Sequence, residues 1–345
     1  MPIDTDEEVI HINKKTGQVL KWIFVIVLIA MIIYTFRDSA GPILDELLQT
    51  SVWVVLGISV AAVVYHLIEA WITCSFARVY QPKFSYWMGL ESAFYCSFYR
   101  VATLGSGAGV AAVVYFHEKG IEPSKGTGMY MMEYVVHKIS LAFFSVIFFV
   151  LDFAFMKQYF SEYFYLLTIG YGLTAFVSMG LVLFCCSKQF HRFILWICRK
   201  MNRKGKLDAQ IAELGILCRI MEDATAELMT RKTLVWTNVG KNLLKFACFY
   251  GIPFIILYQD YGLSLTHIWA VTSVAIMLAA VMPAPAGIGS SEFVLTAMFT
   301  VLVGTGAAGS TALLYRFATF VLPFLIGAVV VLAHHIRKNK RCKKS

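Results

Sequence analysis

Charge is scarce in this chain. Asp, Glu, Lys and Arg make up 15% of its 345 residues, against about 25% in an average soluble domain, too few to cover the surface of a soluble fold of this length. No Gly-x-x-x-x-Gly-Lys-Ser/Thr loop occurs, so the chain lacks the phosphate cradle that an ATP-driven pump would need. A dinucleotide fingerprint, a nucleophile with its base and a spaced set of metal ligands are missing too. Neither a catalytic residue, a cofactor nor a metal is therefore expected. The cysteines, at 74, 96, 185, 186, 198, 218, 248 and 342, form no Cys-x-x-Cys pair. Set in or beside apolar stretches, most of them read as buried thiols and not as a disulfide frame.

Apolar residues take the place of charge. With 59% hydrophobic and 15% aromatic residues and a mean hydropathy of +0.69, the chain reads as an integral membrane protein, since soluble domains hold about 45–50% apolar residues. The net charge of +9 is unevenly spread. Much of it falls between Ser187 and Lys232 and in a tail from Arg337 to Lys344. Such clustering is a topology signal, so membrane lipids are the expected partners and nucleic acid is not.

Six stretches read as full spans: 22–36, 51–74, 127–155, 163–184, 233–258 and 311–335. The first follows Asp4, Asp6, Glu7 and Glu8 and shows no clear small-residue cleavage site, which argues against a signal peptide. Placing the two basic regions inside leaves the Lys/Arg-poor loops 37–50, 156–162 and 259–264 outside. The expected order is a cytoplasmic N-terminus (1–21), a first membrane half (22–186), a basic amphipathic segment along the cytoplasmic leaflet (187–232), a second half (233–335) and a basic cytoplasmic tail (336–345). This is a multi-pass cell-membrane protein with both termini cytoplasmic, and a homo-oligomer is compatible with it.

Two more apolar regions are interrupted. In 265–303 stands Pro283-Ala-Pro285-Ala-Gly287-Ile-Gly289-Ser290-Ser291-Glu292. The prolines remove backbone donors and the glycines admit conformations that other residues avoid, while Ser290 and Ser291 can cap a new helix near Glu292. In 84–116 the glycine-rich run Thr103-Leu-Gly105-Ser-Gly107-Ala-Gly109 is followed by a short apolar arm, Val110 to Phe116. That arm rises only about 10 Å, a third of the hydrocarbon core. Both regions read as re-entrant hairpins, and span, hairpin, span occurs at 51–155 and again at 233–335 from the opposite face. Gly304 to Gly309 reads as the loop before the last span. The expected fold is an all-α polytopic membrane protein with about six full transmembrane helices plus two re-entrant broken-helix hairpins in an inverted repeat. Alternating-access carriers are organised this way, with substrate bound near the midplane.

Ionisable residues inside the spans mark where polar chemistry lies, because each costs several kcal/mol unless it meets water, a partner or a ligand. His66 and Glu69 sit one helical turn apart, as do Glu133 and His137, with Lys138 adjacent. These five read as a polar lining or a coupling path, or more simply as local pairs. Lys241 and Lys245 share a face and read either as anion partners or as side chains snorkelling to the inner interface. Helix N-termini after Gly109 and Gly289 would add unpaired N–H groups and partial positive charge. An anionic headgroup would suit the resulting set: Arg100, Gly107, Gly109, Lys241, Lys245, Pro283, Pro285, Gly287, Gly289, Ser290, Glu292 and Arg316. Glu292 is open to two readings, a first-turn cap or a group that holds an ammonium or a coupling proton.

The run Pro283 to Glu292, followed by Leu313-Leu-Tyr315-Arg316 and Pro323, resembles the second-half signature of the lysylphosphatidylglycerol synthase transmembrane (flippase-like) family. Gly107, Tyr115 and Gly120-Ile121 agree more loosely with the first half. The chain departs from that pattern at Ala286, where glycine is common, and at Arg100 and Thr103, where asparagine and proline often stand. The resemblance covers most of the chain from the second span onward. It implies movement of an anionic or aminoacylated phospholipid, or a related lipid-phosphate, between leaflets by a stand-alone membrane domain. Phosphatidylglycerol lysyltransferase activity is the alternative, and a small-solute or ion carrier on the same architecture is a further one.

Overall fold

The structure, a computed structural model, describes residues 40–162, 164–202, 208–258, 260–280, 282 and 289–342. The expected segment 1–21, the span 22–36 and the tip residues Pro283, Pro285 and Gly287 lie outside the described residues. Those described form helices and no strand, and the protein is an all-α polytopic membrane protein. Among the described residues, five segments are long and apolar enough to cross a bilayer: Val52–Tyr80, Pro123–Leu151, Leu167–Phe184, Lys232–Leu257 and Thr305–Lys340.

The first described helix, α1 (Ala40–Gln49), corrects the expected loop 37–50. One apolar side chain, Ile43, is buried, and the helix packs on the start of the last span. Next comes the long α2 (Val52–Tyr80). Ser85 then starts α3 (Tyr86–Ala102) by accepting the Met88 N–H on its side chain. Leu104 at φ 51° and Gly105 at φ 95° turn the chain through the left-handed region, and α4 (Ala108–Glu118) runs on from there. At 1.5 Å per residue α3 is about 26 Å long and α4 about 17 Å, both short of a core of about 30 Å. After α5 (Pro123–Leu151) and the short α6 (Phe153–Tyr159), α7 (Phe164–Cys186) reaches the basic segment, which folds as α8 (Lys188–Met201) and α9 (Asp208–Thr230).

The second half follows the same scheme. A span in two pieces, α10 (Lys232–Tyr250) and α11 (Ile252–Leu257), is interrupted at Gly251 because Pro253 has no N–H to continue the ladder. Two short helices, α12 (Leu265–Ala279) and α13 (Ser290–Val303), pack on one another as α3 and α4 do. The expected loop 304–309 is also corrected: Gly304, at φ 80°, makes the turn alone. Thr305 then opens α14 (Thr305–Arg316), a π-helical turn covers Phe317–Val321, and α15 (Leu322–Cys342) completes the element. Small residues in 306–310 let α14 lie close against α13 and give it a packed face where a loop was expected.

Packing divides at mid-depth. One apolar core gathers Ile58 and Ala62 of α2 with Ile252, Ile268, Leu295 and Phe299, and another gathers Ile68 to Ala77 of the same helix with Tyr115, Phe116, Met129 and Met132. Tyr65, His66 and Glu69 fall in the gap between them. α15 is clamped onto α3 at Gly327, where an added Cβ would lie 2.5 Å from the Phe94 carbonyl oxygen. Gly327→Val should therefore cost about 1–3 kcal/mol, seen as a lower melting temperature in detergent. Gly180→Ala, with nothing within 4 Å of the new methyl, should melt like the parent.

Candidate functional site

The midpoints of three spans carry the polar layer. His66 is the central residue of Val52–Tyr80, His137 of Pro123–Leu151, and Lys245 falls at the centre of Lys232–Leu257. Arms of about equal length on either side set these groups well inside the spans. Lys245, with a side chain only 1% exposed, donates to the Glu69 carboxylate and lies 3.4 Å from His137 Nδ1. The Nδ1 of His66 donates to the Ala62 carbonyl at 2.9 Å, its Nε2 is 3.2 Å from Ser97 Oγ, and its ring stacks on Phe94.

These partners differ from the local pairs that spacing suggests. His66 and Glu69 bond to other helices, and no ion pair joins Glu133 to His137 or Lys138 among the described residues. Lys138 reaches the Tyr134 ring, 5.5 Å away. Both lysines of α10 do face α2, but the two helices run antiparallel. One turn along α10 therefore changes the partner: Lys245 meets Glu69, while Lys241 meets Ser75 Oγ at 2.5 Å, Asn238 Oδ1 at 3.1 Å and the Trp71 ring. Lys241 lies off the midpoint, and neither lysine lines the cavity beside them.

That cavity holds about 310 Å³ and is where the two interrupted regions converge. Arg100 and Val101, from the end of α3, face Ala279 and Ala280 at the end of α12 and Ser290 and Ser291 at the start of α13. Arg316 joins them from α14, its Nε 3.0 Å from Glu292 Oε1 and its guanidinium carbon 3.7 Å from the centre of the Phe320 ring. The other Glu292 oxygen accepts from the Gly289 N–H at 3.0 Å and from Ser291 Oγ at 2.8 Å. Glu292 thus caps α13 and neutralises Arg316 at once.

The expected free N–H groups at the tips are partly occupied: the Gly107 N–H donates to Thr103 Oγ1 at 2.7 Å and the Gly289 N–H to Glu292. Gly107 and Gly109 serve packing, since a Cβ at Gly109 would lie 2.8 Å from the Tyr130 ring and one at Gly107 2.6 Å from the Thr103 hydroxyl. Neither lines the cavity.

Arg100 differs from the other cations at the cavity. Among the described residues its side chain has no ion pair and no hydrogen bond, and it is exposed only because it faces the cavity and a smaller pocket of about 40 Å³ beside Glu69, Tyr130 and Glu133. Sequence reasoning missed Tyr65, Ser97, Tyr250, Tyr315 and Thr319 in the cavity wall. Ser97 and Thr319 stand three residues from Arg100 and Arg316, the helical spacing that could have found them. It also missed a cluster at the opposite ends of α3 and α4. There His334 of α15 touches Glu91 at 3.0 Å and Glu118 at 2.7 Å, and Lys338 reaches Glu118 at 2.5 Å. This cluster ties the first hairpin to the last helix.

The described residues thus form a helical membrane fold whose interrupted segments end on a cationic cavity. Residues 19–327 match the family described as the Lysylphosphatidylglycerol synthase TM region, and the chain belongs to that family. No curated protein matches it. Family and fold together define a membrane protein with a lipid-related role.

The Lys245–Glu69 pair yields a stability test. Lys245→Ala strands a carboxylate at mid-depth and should cost about 3–5 kcal/mol. Adding Glu69→Gln should restore most of the lost melting temperature. Equal losses in the single and double variants would show that the pair does not carry the layer.

Proposed function

We propose that this protein is a lipid translocase that passes the headgroup of an anionic phospholipid, or of a related lipid-phosphate, through the mid-depth cavity from one leaflet to the other. The observation that carries the proposal is Arg100, a cation at mid-depth that faces open space without a counter-ion. Such a group is costly unless a ligand or water compensates it, and a phosphate is the geometric complement of a guanidinium. Volume supports the same reading: about 310 Å³ is at the low end of small-molecule sites, enough for a headgroup but not for acyl chains, which would stay in the bilayer. Arg316, held by Glu292, offers its remaining donors from the start of the last span. Gly289 and Ser290 stand at the start of α13 beside the cavity, and the buried lysine sets the field behind it. The protein would work in the cell membrane with its basic helices and both termini on the cytoplasmic side.

Reconstitution into liposomes with a fluorescent anionic phospholipid tests this. The parent protein should accelerate leaflet exchange, and Arg100→Gln should slow it at least about tenfold, the scale of one lost charge-assisted hydrogen bond. Arg316→Ala and Glu292→Gln should abolish exchange while leaving the protein folded and inserted. Lys241→Ala, placed outside the cavity, should exchange at the parental rate. No acceleration over empty vesicles with any anionic headgroup would refute the proposal.

A further inference from the structure

Glu133 is a carboxylate that the polar layer leaves without a cation. It stands on α5 one turn before His137 and lines the small pocket of about 40 Å³, which shares Tyr65, His66, Ser97 and Arg100 with the larger cavity. One of its oxygens, Oε1, is buried and has no hydrogen-bond partner among the described residues. The ionisable groups around it come from each helix packed there. α2 brings Tyr65, His66 and Glu69, α3 brings Cys96 and Arg100, and α10 brings Lys245. Its own helix adds Tyr130, with His137 and Lys138 one turn on, and Thr73 of α2 bonds to the carboxyl, whereas α4 presents only Ala112 and Phe116. Lys245 is already committed to Glu69.

Charge balance then links the carboxyl to the headgroup. Among the charged groups that line the two cavities and their direct partners, Arg100, Lys245 and Arg316 face Glu69, Glu292 and Glu133, and two of the three possible pairs are closed by direct contact, while Lys138 and Lys241 line neither cavity. With Glu133 ionised the layer is neutral, and an arriving monoanion would leave it negative. With Glu133 protonated the layer carries one positive charge, and the same anion would leave it neutral. In a medium of low polarity the second combination is the stable one.

We infer that Glu133 takes up a proton from cavity water when an anionic headgroup docks on Arg100, and returns it to water when the headgroup leaves. The proton bonds to a carboxylate oxygen and no other bond changes. Headgroup and proton therefore travel together, which gives a carrier without a nucleotide site a source of direction. This inference rests on the reading of Arg100 as the headgroup partner.

The test uses the purified full chain in detergent and dihexanoylphosphatidylglycerol as the probe, titrated at several values between about pH 5 and about pH 9. Its phosphodiester stays ionised throughout this range. Affinity should weaken as pH rises, by up to about tenfold per pH unit where one proton is linked. An indicator dye in weak buffer should show proton uptake of up to about one per lipid bound. Glu133→Gln should bind tightly at every pH and take up no proton. Binding of the parent with neither pH dependence nor proton uptake overturns the inference and leaves the headgroup reading standing. A pH dependence that persists in Glu133→Gln assigns it to His66 or His137 and also overturns it. Absence of lipid binding at every pH, with the melting curve intact, removes the headgroup reading and this inference together.

Discussion

A guanidinium without a counter-ion at the middle of a bilayer sets the constraint to which the surrounding structure answers. Arg100 can persist there only if its open face is wet or occupied, and the cavity supplies that face. The other cations at the cavity or directly behind it are neutralised, Lys245 by Glu69 and Arg316 by Glu292, while Lys138 and Lys241 lie outside it against the Tyr134 and Trp71 rings. Pairing the neighbours concentrates the unspent positive potential on one residue. A site with three unpaired cations would cost far more to bury and would select multiply charged ligands. Under the proposed function, one unpaired cation matches the single charge of a phosphodiester.

Helix ends can be brought to mid-depth only by interrupting helices, which explains why both halves spend residues on short arms. α3, α4, α12 and α13 are each too short to cross the core alone, and the inner ends of α3, α12 and α13 converge on one cavity. Holding short helices in place requires close packing, and the glycines provide it. Gly109 gives way to the Tyr130 ring, Gly89 lies against the Ala70 carbonyl and Gly327 against that of Phe94. The π-helical turn after Arg316 adds an extra residue to the helix beside the site, a feature frequent at functional positions. It keeps α14 and α15 continuous while Arg316 faces Glu292 and Phe320 faces the cavity.

Composition and hydropathy made the membrane class, most spans and the two interruptions legible, because span length and helix breaking are local properties. The mid-depth position of His66, His137 and Lys245 could have been read from span centres. What could not be read was partner choice. Glu69 and Lys245 are 176 residues apart, and their contact depends on the antiparallel register of α2 and α10, which no spacing within either helix reveals. The same register explains why Lys241, on the same face as Lys245, meets a serine and a tryptophan. α1 and the start of α14 were missed because polar or small residues hide a helix whose stability comes from tertiary packing. The capping role of Glu292 was legible from its place in the first turn, but its pairing with Arg316 was not.

Lipid retention in native mass spectrometry tests the central claim, that a single unpaired cation recruits an anionic headgroup to the mid-depth cavity. From vesicles of equal anionic and zwitterionic phospholipid, the parent protein should retain one anionic lipid through activation energies that strip the zwitterionic ones, and Arg100→Gln should lose that selectivity. Equal retention of both lipids by the parent, or an unchanged preference in Arg100→Gln, would contradict the account.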